Sequence, residues 1–239
     1  MKYYYYLAVL PFCFLSCSSG SDDDLTPIND VTINYGQEWF INEVGNKKVS
    51  FENDFIASFN DGKLYGDHVG KTLAITSDGR NFNVTVKSTV SLIKDMEIDW
   101  TKDADWYWKN NPFGAMNDNG NYYQTTYTYQ DPNTKIAYAY TFSPERKLKG
   151  AGILVPIKYA SQLGKYLNER FLPMSTEKIS DEIFVGGFNA YDVNKATMVF
   201  ALSLSSLTAY QVTIINPKDA SSTSTRSLEN GLKVFFGAQ

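Results

Sequence analysis

A single histidine, two cysteines and a scatter of carboxylates are what this chain offers to chemistry. His68 stands in Gly66-Asp67-His68-Val69-Gly70, where an imidazole could serve as a base or metal ligand near neutral pH. It has no second histidine to complete a metal set, and the segment has the composition of a turn, so His68 reads as an exposed turn residue. Ser–His or Cys–His nucleophilic catalysis would have only this imidazole to draw on. Glycoside hydrolysis needs instead two carboxylates whose separation the fold sets. Asp103, Asp105, Asp181 and Glu182 are the candidates, yet they sit at helix starts or in loops, where carboxylates serve as caps and solvated charges. Asn117-Asp118-Asn119-Gly120-Asn121 has the look of a calcium loop but lacks the later bidentate glutamate, and reads as a mobile turn. There is no glycine-rich phosphate loop, H-E-x-x-H or nucleophile elbow. The residues therefore assign no catalytic group, no metal site and no cofactor.

Aromatic side chains, 15% of the chain, are the richer resource. Trp100, Trp106, Tyr107 and Trp108, with Tyr122 and Tyr123, could form a platform for a sugar or a protein. The residues Asp99 to Lys109 have a cap candidate and early acids, and Asn111-Pro112 ends the helical pattern. Trp100, Ala104 and Trp108 at i, i+4 and i+8 form one apolar stripe and are assigned to the core. Trp106 and Tyr107 fall off that stripe and become the ligand-contact candidates.

The elements that must position these residues fall into two modules. From 25 to 93 the pattern has period two, with strands expected at Val31–Tyr35, Glu38–Asn42, Lys47–Phe51, Phe55–Phe59, Leu73–Ser77 and Asn81–Lys87. Asp78-Gly79 predicts a hairpin with a tight primed turn. Short strands without a helical window mean a small β-sandwich. From 94 to 239 the order is helix, three strands, helix, three or four strands, which suggests a duplicated α-β-β-β unit. Tyr123, Tyr127 and Tyr129 alternate with polar residues, and Tyr138, Tyr140 and Phe142 continue that aromatic face on the next strand. A second helix carries Tyr159, Leu163, Tyr166, Leu167, Arg170 and Phe171 on one side and Lys165, Asn168 and Glu169 on the other. Residues 221–227 read as a mobile polar run, and Leu232–Phe236 as a returning edge strand. The Thr89–Met96 junction has no flexible-linker signature. The simplest fold is an all-β sandwich followed by an α+β domain, an antiparallel sheet with two helices on one face.

Three resemblances add to this reading. Residues 1–16 have one charge, Lys2, and an apolar run too short to span a bilayer, as in a secretory signal peptide. Leu15-Ser16-Cys17 resembles the bacterial lipobox, and Ser18-Ser19-Gly20-Ser21-Asp22-Asp23-Asp24 resembles the acidic export signal of Bacteroidetes surface lipoproteins. That resemblance implies acylation at Cys17, a membrane anchor, a hydrated tether over 17–24 and an outer-membrane address with exposure at the cell surface. Cleavage would remove Cys13, leaving no disulfide and no thiolate site. Asn53…Ile56-Ala57-Ser58…Gly62-Lys63-Leu64-Tyr65-Gly66…Val69-Gly70-Lys71-Thr72-Leu73-Ala74-Ile75 is similar to bacterial Ig-like domains of group 2, which implies a spacer or stalk over 25–93. The order of elements after residue 94 resembles TBP-like and β-lactamase-inhibitor-protein-like sheets, a topological likeness that implies nothing about ligand. The formal charge of −4, well mixed along the chain, argues against nucleic acid as a partner. The expected function is a non-catalytic surface lipoprotein whose Ig-like spacer presents an α+β module to a protein partner. A glycan-binding lipoprotein of polysaccharide uptake is the alternative, and a carboxylate glycosidase the third reading.

Overall fold

The computed structural model describes residues 26–121, 124–173, 178–179, 182–183, 185–206 and 208–220. The leader, Cys17, the tether, Tyr122, Tyr123, Asp181 and the Leu232–Phe236 strand expected from sequence lie outside them. The chain is mostly β-sheet with a few short helices.

In the first module β1 (Val31–Asn34), β2 (Glu38–Phe40), β3 (Val49–Phe51), β4 (Ala57–Asn60), β5 (Lys63–Gly66), β6 (Gly70–Thr76) and β7 (Asn81–Lys87) form two open sheets. Their orders are β1-β7-β6-β3 and β2-β5-β4. Strand β7 shows how the pattern works: Phe82, Val84 and Val86 point inward and are buried, with Asn81, Asn83 and Lys87 outward. Each such side chain contributes roughly 1.5–3 kcal/mol of burial. Ile33, Ala57, Leu64 and Ala74 complete the same core, so both sheets close over one interior. The pairing of β1 with β7 is parallel, Val31 opposite Val84.

The turns differ from expectation in an instructive way. Asp78-Gly79 does connect a hairpin, but only Gly79 is left-handed (φ 87°), so the turn is not a primed one. The Asp78 carboxylate is turned instead to Arg80 and Thr76. The primed turn occurs at Asp61-Gly62, with φ of 50° and 77°, joining β4 to β5 with Asn60 opposite Lys63. Strand β5 is absent from the expected set, its short run being bounded by Gly62 and Gly66.

In the second module α1 (Ala104–Asn110) precedes β8 (Asn117–Asp118), β9 (Thr125–Gln130), β10 (Ala137–Phe142) and β11 (Leu148–Pro156). After a 3-10 turn at Ile157–Tyr159 come α2 (Ala160–Asn168), β12 (Leu172–Pro173), β13 (Lys178–Ile179), β14 (Glu182–Ile183) and β15 (Val185–Phe188). The chain continues through β16 (Val199–Ser206), β17 (Ala209–Ile215) and α3 (Pro217–Ala220). Eight strands make one antiparallel sheet in the order β12-β15-β16-β17-β11-β10-β9-β8, and β13 pairs with β14 separately. Two meanders, β9 to β11 and β15 to β17, thus meet through their last strands, and each follows a helix.

Directly opposed residues share a sheet face. Tyr129 opposes Tyr138 and Tyr127 opposes Tyr140, and Ile153 lies between Tyr138 and Val212, so an aromatic face on two strands continues as an apolar face across four. Tyr107 of α1 packs its ring 4.7 Å from Tyr140 and 5.5 Å from Phe142. Leu163, Tyr166 and Leu167 of α2 enter the same core.

Helix α1 begins later than expected and buries a different edge. Asp103 is its N-cap, accepting from the Trp106 amide at 2.9 Å. With a helix of seven residues starting there, Ala104 and Tyr107 at i, i+3 face inward. Tyr107 is completely buried while Trp108 is 46% exposed, the reverse of the stripe assignment. Trp100 does pack against the core, donating from Nε1 to the Thr197 carbonyl at 2.8 Å. The Asn117–Asn121 segment is not a free turn but the sheet edge: Asn117 pairs with Thr128, and Asp118 accepts from the Gly120 amide at 2.9 Å.

Candidate functional site

The polar groups that converge lie where the two modules meet. Helix α2 ends at Glu169, whose amide still bonds the Lys165 carbonyl at 3.0 Å. A carboxylate at a helix C-terminus opposes the macrodipole, and Glu169 is also 2% exposed, so its partners must carry it. It accepts from the Ser88 and Thr89 hydroxyls, from the Thr89 amide at 3.2 Å and from Arg170 Nη1 at 3.3 Å. Burial alone would raise this carboxyl, but the Ser88 and Thr89 hydrogen bonds, with Arg170 beside it, hold it below the usual range. The Glu169 carbonyl takes the Val69 amide at 2.7 Å. Both the backbone and the side chain of one residue thus hold the first module. Glu169 was expected on the solvent side of α2; the docked module covers that side.

Arg170 extends the network. Its guanidinium lies 3.8 Å over the Tyr166 ring, donates from Nε to Asp95 at 2.8 Å and from Nη1 to the Tyr166 carbonyl at 3.0 Å. Arg170 is nearly buried while Asp95 remains exposed.

His68 lies beside this clamp and is buried, not exposed as its turn-like context implied. Its ring stacks on Phe55 at 3.6 Å and 10°, and Nδ1 donates to the Phe55 carbonyl at 2.8 Å. Tyr191 of the second module closes the stack edge-on, 5.2 Å from Phe55 and 6.1 Å from His68. Burial lowers the imidazole from its ordinary value against the smaller opposing pull of the Phe55 carbonyl and Asp67. Leu172 of β12 adds an apolar contact to the first core.

The connecting segment is held as firmly. Val90 and Ile93 are buried in the second core. The Lys94 amide donates to Tyr138 Oη at 2.9 Å, and the Asp99 amide to Tyr107 Oη at 2.7 Å. Buried tyrosine hydroxyls thus supply the partners that a strand would otherwise give. Burial pushes both phenols up to about 12. Along this segment opens a cleft of about 920 Å³ whose walls include Lys71, Lys87, Lys94, Met96, Arg170 and Met198. Phe55, Tyr166 and Phe171 also border it, and all three rings are buried.

The sequence-derived site residues do not gather here. Tyr107 is a core residue that ties down Asp99, and Trp106 stands edge-on to it at 5.1 Å beneath Lys102. The pair presents no shared exposed platform. Asp103 is a helix cap and Asp105 pairs with Arg146 at 2.6 Å. Among the described residues no cluster of three His, Cys, Asp or Glu side chains could hold a metal. Sequence reasoning missed Glu169 and the Ser88-Thr89 pair. A carboxylate at the last turn of a helix was the available signal, since it needs a compensating partner. No family model, no curated protein and no solved structure matches the chain.

Proposed function

We propose that this chain is a non-catalytic outer-membrane lipoprotein, exposed at the cell surface and anchored through Cys17, in which an Ig-like spacer over 25–93 presents an α+β module over 94–239, a duplicated α-β-β-β unit, to a protein partner. The observation that carries this reading is the junction. Glu169 takes hydrogen bonds from Ser88 and Thr89, and the Val69 amide reaches its carbonyl. A spacer coupled in this way holds the binding module in a fixed orientation to itself, which a free linker cannot do. The anchor itself rests on Leu15-Ser16-Cys17 and the acidic tether that follows. A protein partner is favoured over a glycan because the rings bordering the cleft, Phe55, Tyr166 and Phe171, are buried and offer no stacking face. The test is metabolic labelling of cells with an alkyne fatty acid, combined with protease shaving of intact cells. The wild-type chain should incorporate label and be cleaved from outside, and Cys17→Ser should lose the label. An unlabelled wild-type chain would refute the anchor, and a labelled chain resistant to shaving would refute surface exposure.

A further inference from the structure

We propose that the module junction is an acid-released latch, in which a neutral His68 and an ionised Glu169 hold the two modules in one orientation and proton uptake by either parts them. The two groups are neighbours in one contact: His68 precedes Val69, whose amide is bonded to the Glu169 carbonyl at 2.7 Å. His68 is closed in by Phe55 on one side and by Tyr191 from the second module on the other, with Tyr35 at 6.4 Å. Its Nδ1–H is already committed to the Phe55 carbonyl. The charge that acts on it is Asp67, on its own segment, and that attraction is weaker than the burial. Glu169 faces Ser88 and Thr89 from the end of β7 and Arg170 from its own helix, and Arg170 is itself engaged with Asp95.

Parting the modules takes Tyr191 from the open edge of His68, which keeps its Phe55 stack, and the Ser88-Thr89 donors from Glu169, so both groups gain water in the open state. Burial holds His68 low and the Ser88 and Thr89 donors hold Glu169 low, so an open state that returns water to either group binds the proton more tightly. The docked state is therefore favoured above the ordinary imidazole value of 6.5 and loses that advantage as pH falls through it. Glu169 adds a second loss below the ordinary glutamate value of 4.5. Neither loss requires the sheets to unfold, because His68 lies in the turn before β6 and Glu169 at the end of α2, outside every strand.

Amide hydrogen exchange on the full chain in detergent, corrected for intrinsic exchange at each pH, reads this latch directly. Protection of the Val69 and Thr89 amides should fall about tenfold or more between pH 8 and pH 5, while Val84 and Ile153 in the two sheets keep theirs. His68→Gln, which cannot take up a proton, should flatten the upper part of that pH dependence. Glu169→Gln should lower Val69 and Thr89 protection already at pH 8. The latch is refuted if Val69 and Thr89 stay protected to pH 5, if the sheet amides fall with them, or if His68→Gln leaves the pH dependence unchanged.

Discussion

Buried polar atoms in this protein are used as ties between backbone segments, and their value depends on what each removal leaves unpaired. Tyr138 Oη accepts from the Lys94 amide, whereas Tyr140 Oη, although the Glu97 backbone acts weakly on it, is the one buried side-chain polar atom among the described residues that completes no well-formed hydrogen bond. Both phenols are buried in the same core, and burial raises both. Leaving a buried amide orphaned costs about 1–3 kcal/mol, whereas removing an unpartnered hydroxyl costs nothing of that kind. Tyr138→Phe should therefore lower stability by about 1 kcal/mol or more in urea denaturation. Tyr140→Phe should leave it unchanged or raise it by up to about 1 kcal/mol. Equal losses in the two variants would contradict the assignment of roles.

The short helix α1 depends on its ends more than on its length. Seven residues are too few to be helical on propensity alone, so the cap and the buried edge must hold it. Asp103 caps it, and Arg146 from the loop opposite holds the same N-terminal end, its carbonyl taking the Ala104 amide at 3.0 Å and its guanidinium reaching Asp105. Asp103→Ala should cost about 1 kcal/mol, with Asp103→Asn recovering most of it, as judged by thermal unfolding. An Ala variant as stable as the parent would mean that Tyr107 packing alone holds the helix. The hairpin β4–β5 follows the same logic of ends. Two consecutive left-handed residues, Asp61 and Gly62, let the strands keep their twist through a two-residue turn.

Across the whole molecule, two hydrophobic cores are coupled by one buried carboxylate, with the packed segment from Val90 to Ile98 between them. Removing one member of a buried charged network costs about 3–5 kcal/mol, because its partners stay behind unpaired. Scanning calorimetry of the parent chain should give one transition, and Glu169→Ala should split it, with the earlier component lowered by several degrees. A single unsplit transition in the variant would mean that the apolar contacts of Leu172 and Tyr191 couple the modules unaided. No helix among the described residues is long and apolar enough to cross a membrane.

Local alternation and spacing were enough to place most strands, the aromatic face of Tyr127 to Phe142 and the buried side of α2. Each of these follows from side chains repeating every two or every 3.6 residues against a single interior. The same rule misplaced Tyr107 and Trp108, because a helix starting three or four residues later turns a different edge inward. It passed over β5, because glycines that end strands also make the primed turn that joins them. Nothing in the spacing could place His68 or Glu169. Both belong to segments whose local sequence reads as solvent-facing; Glu169 is covered from Thr89, 80 residues earlier, and His68 is closed in by Phe55 of its own module and Tyr191 of the second. The parallel pairing of β1 with β7 and the meeting of β11 with β17 are long-range in the same way. The sequence determined most strands and their inward faces, because those are local periodicities. Tertiary structure alone decided which polar residues lost their water, because that depends on what docks against them.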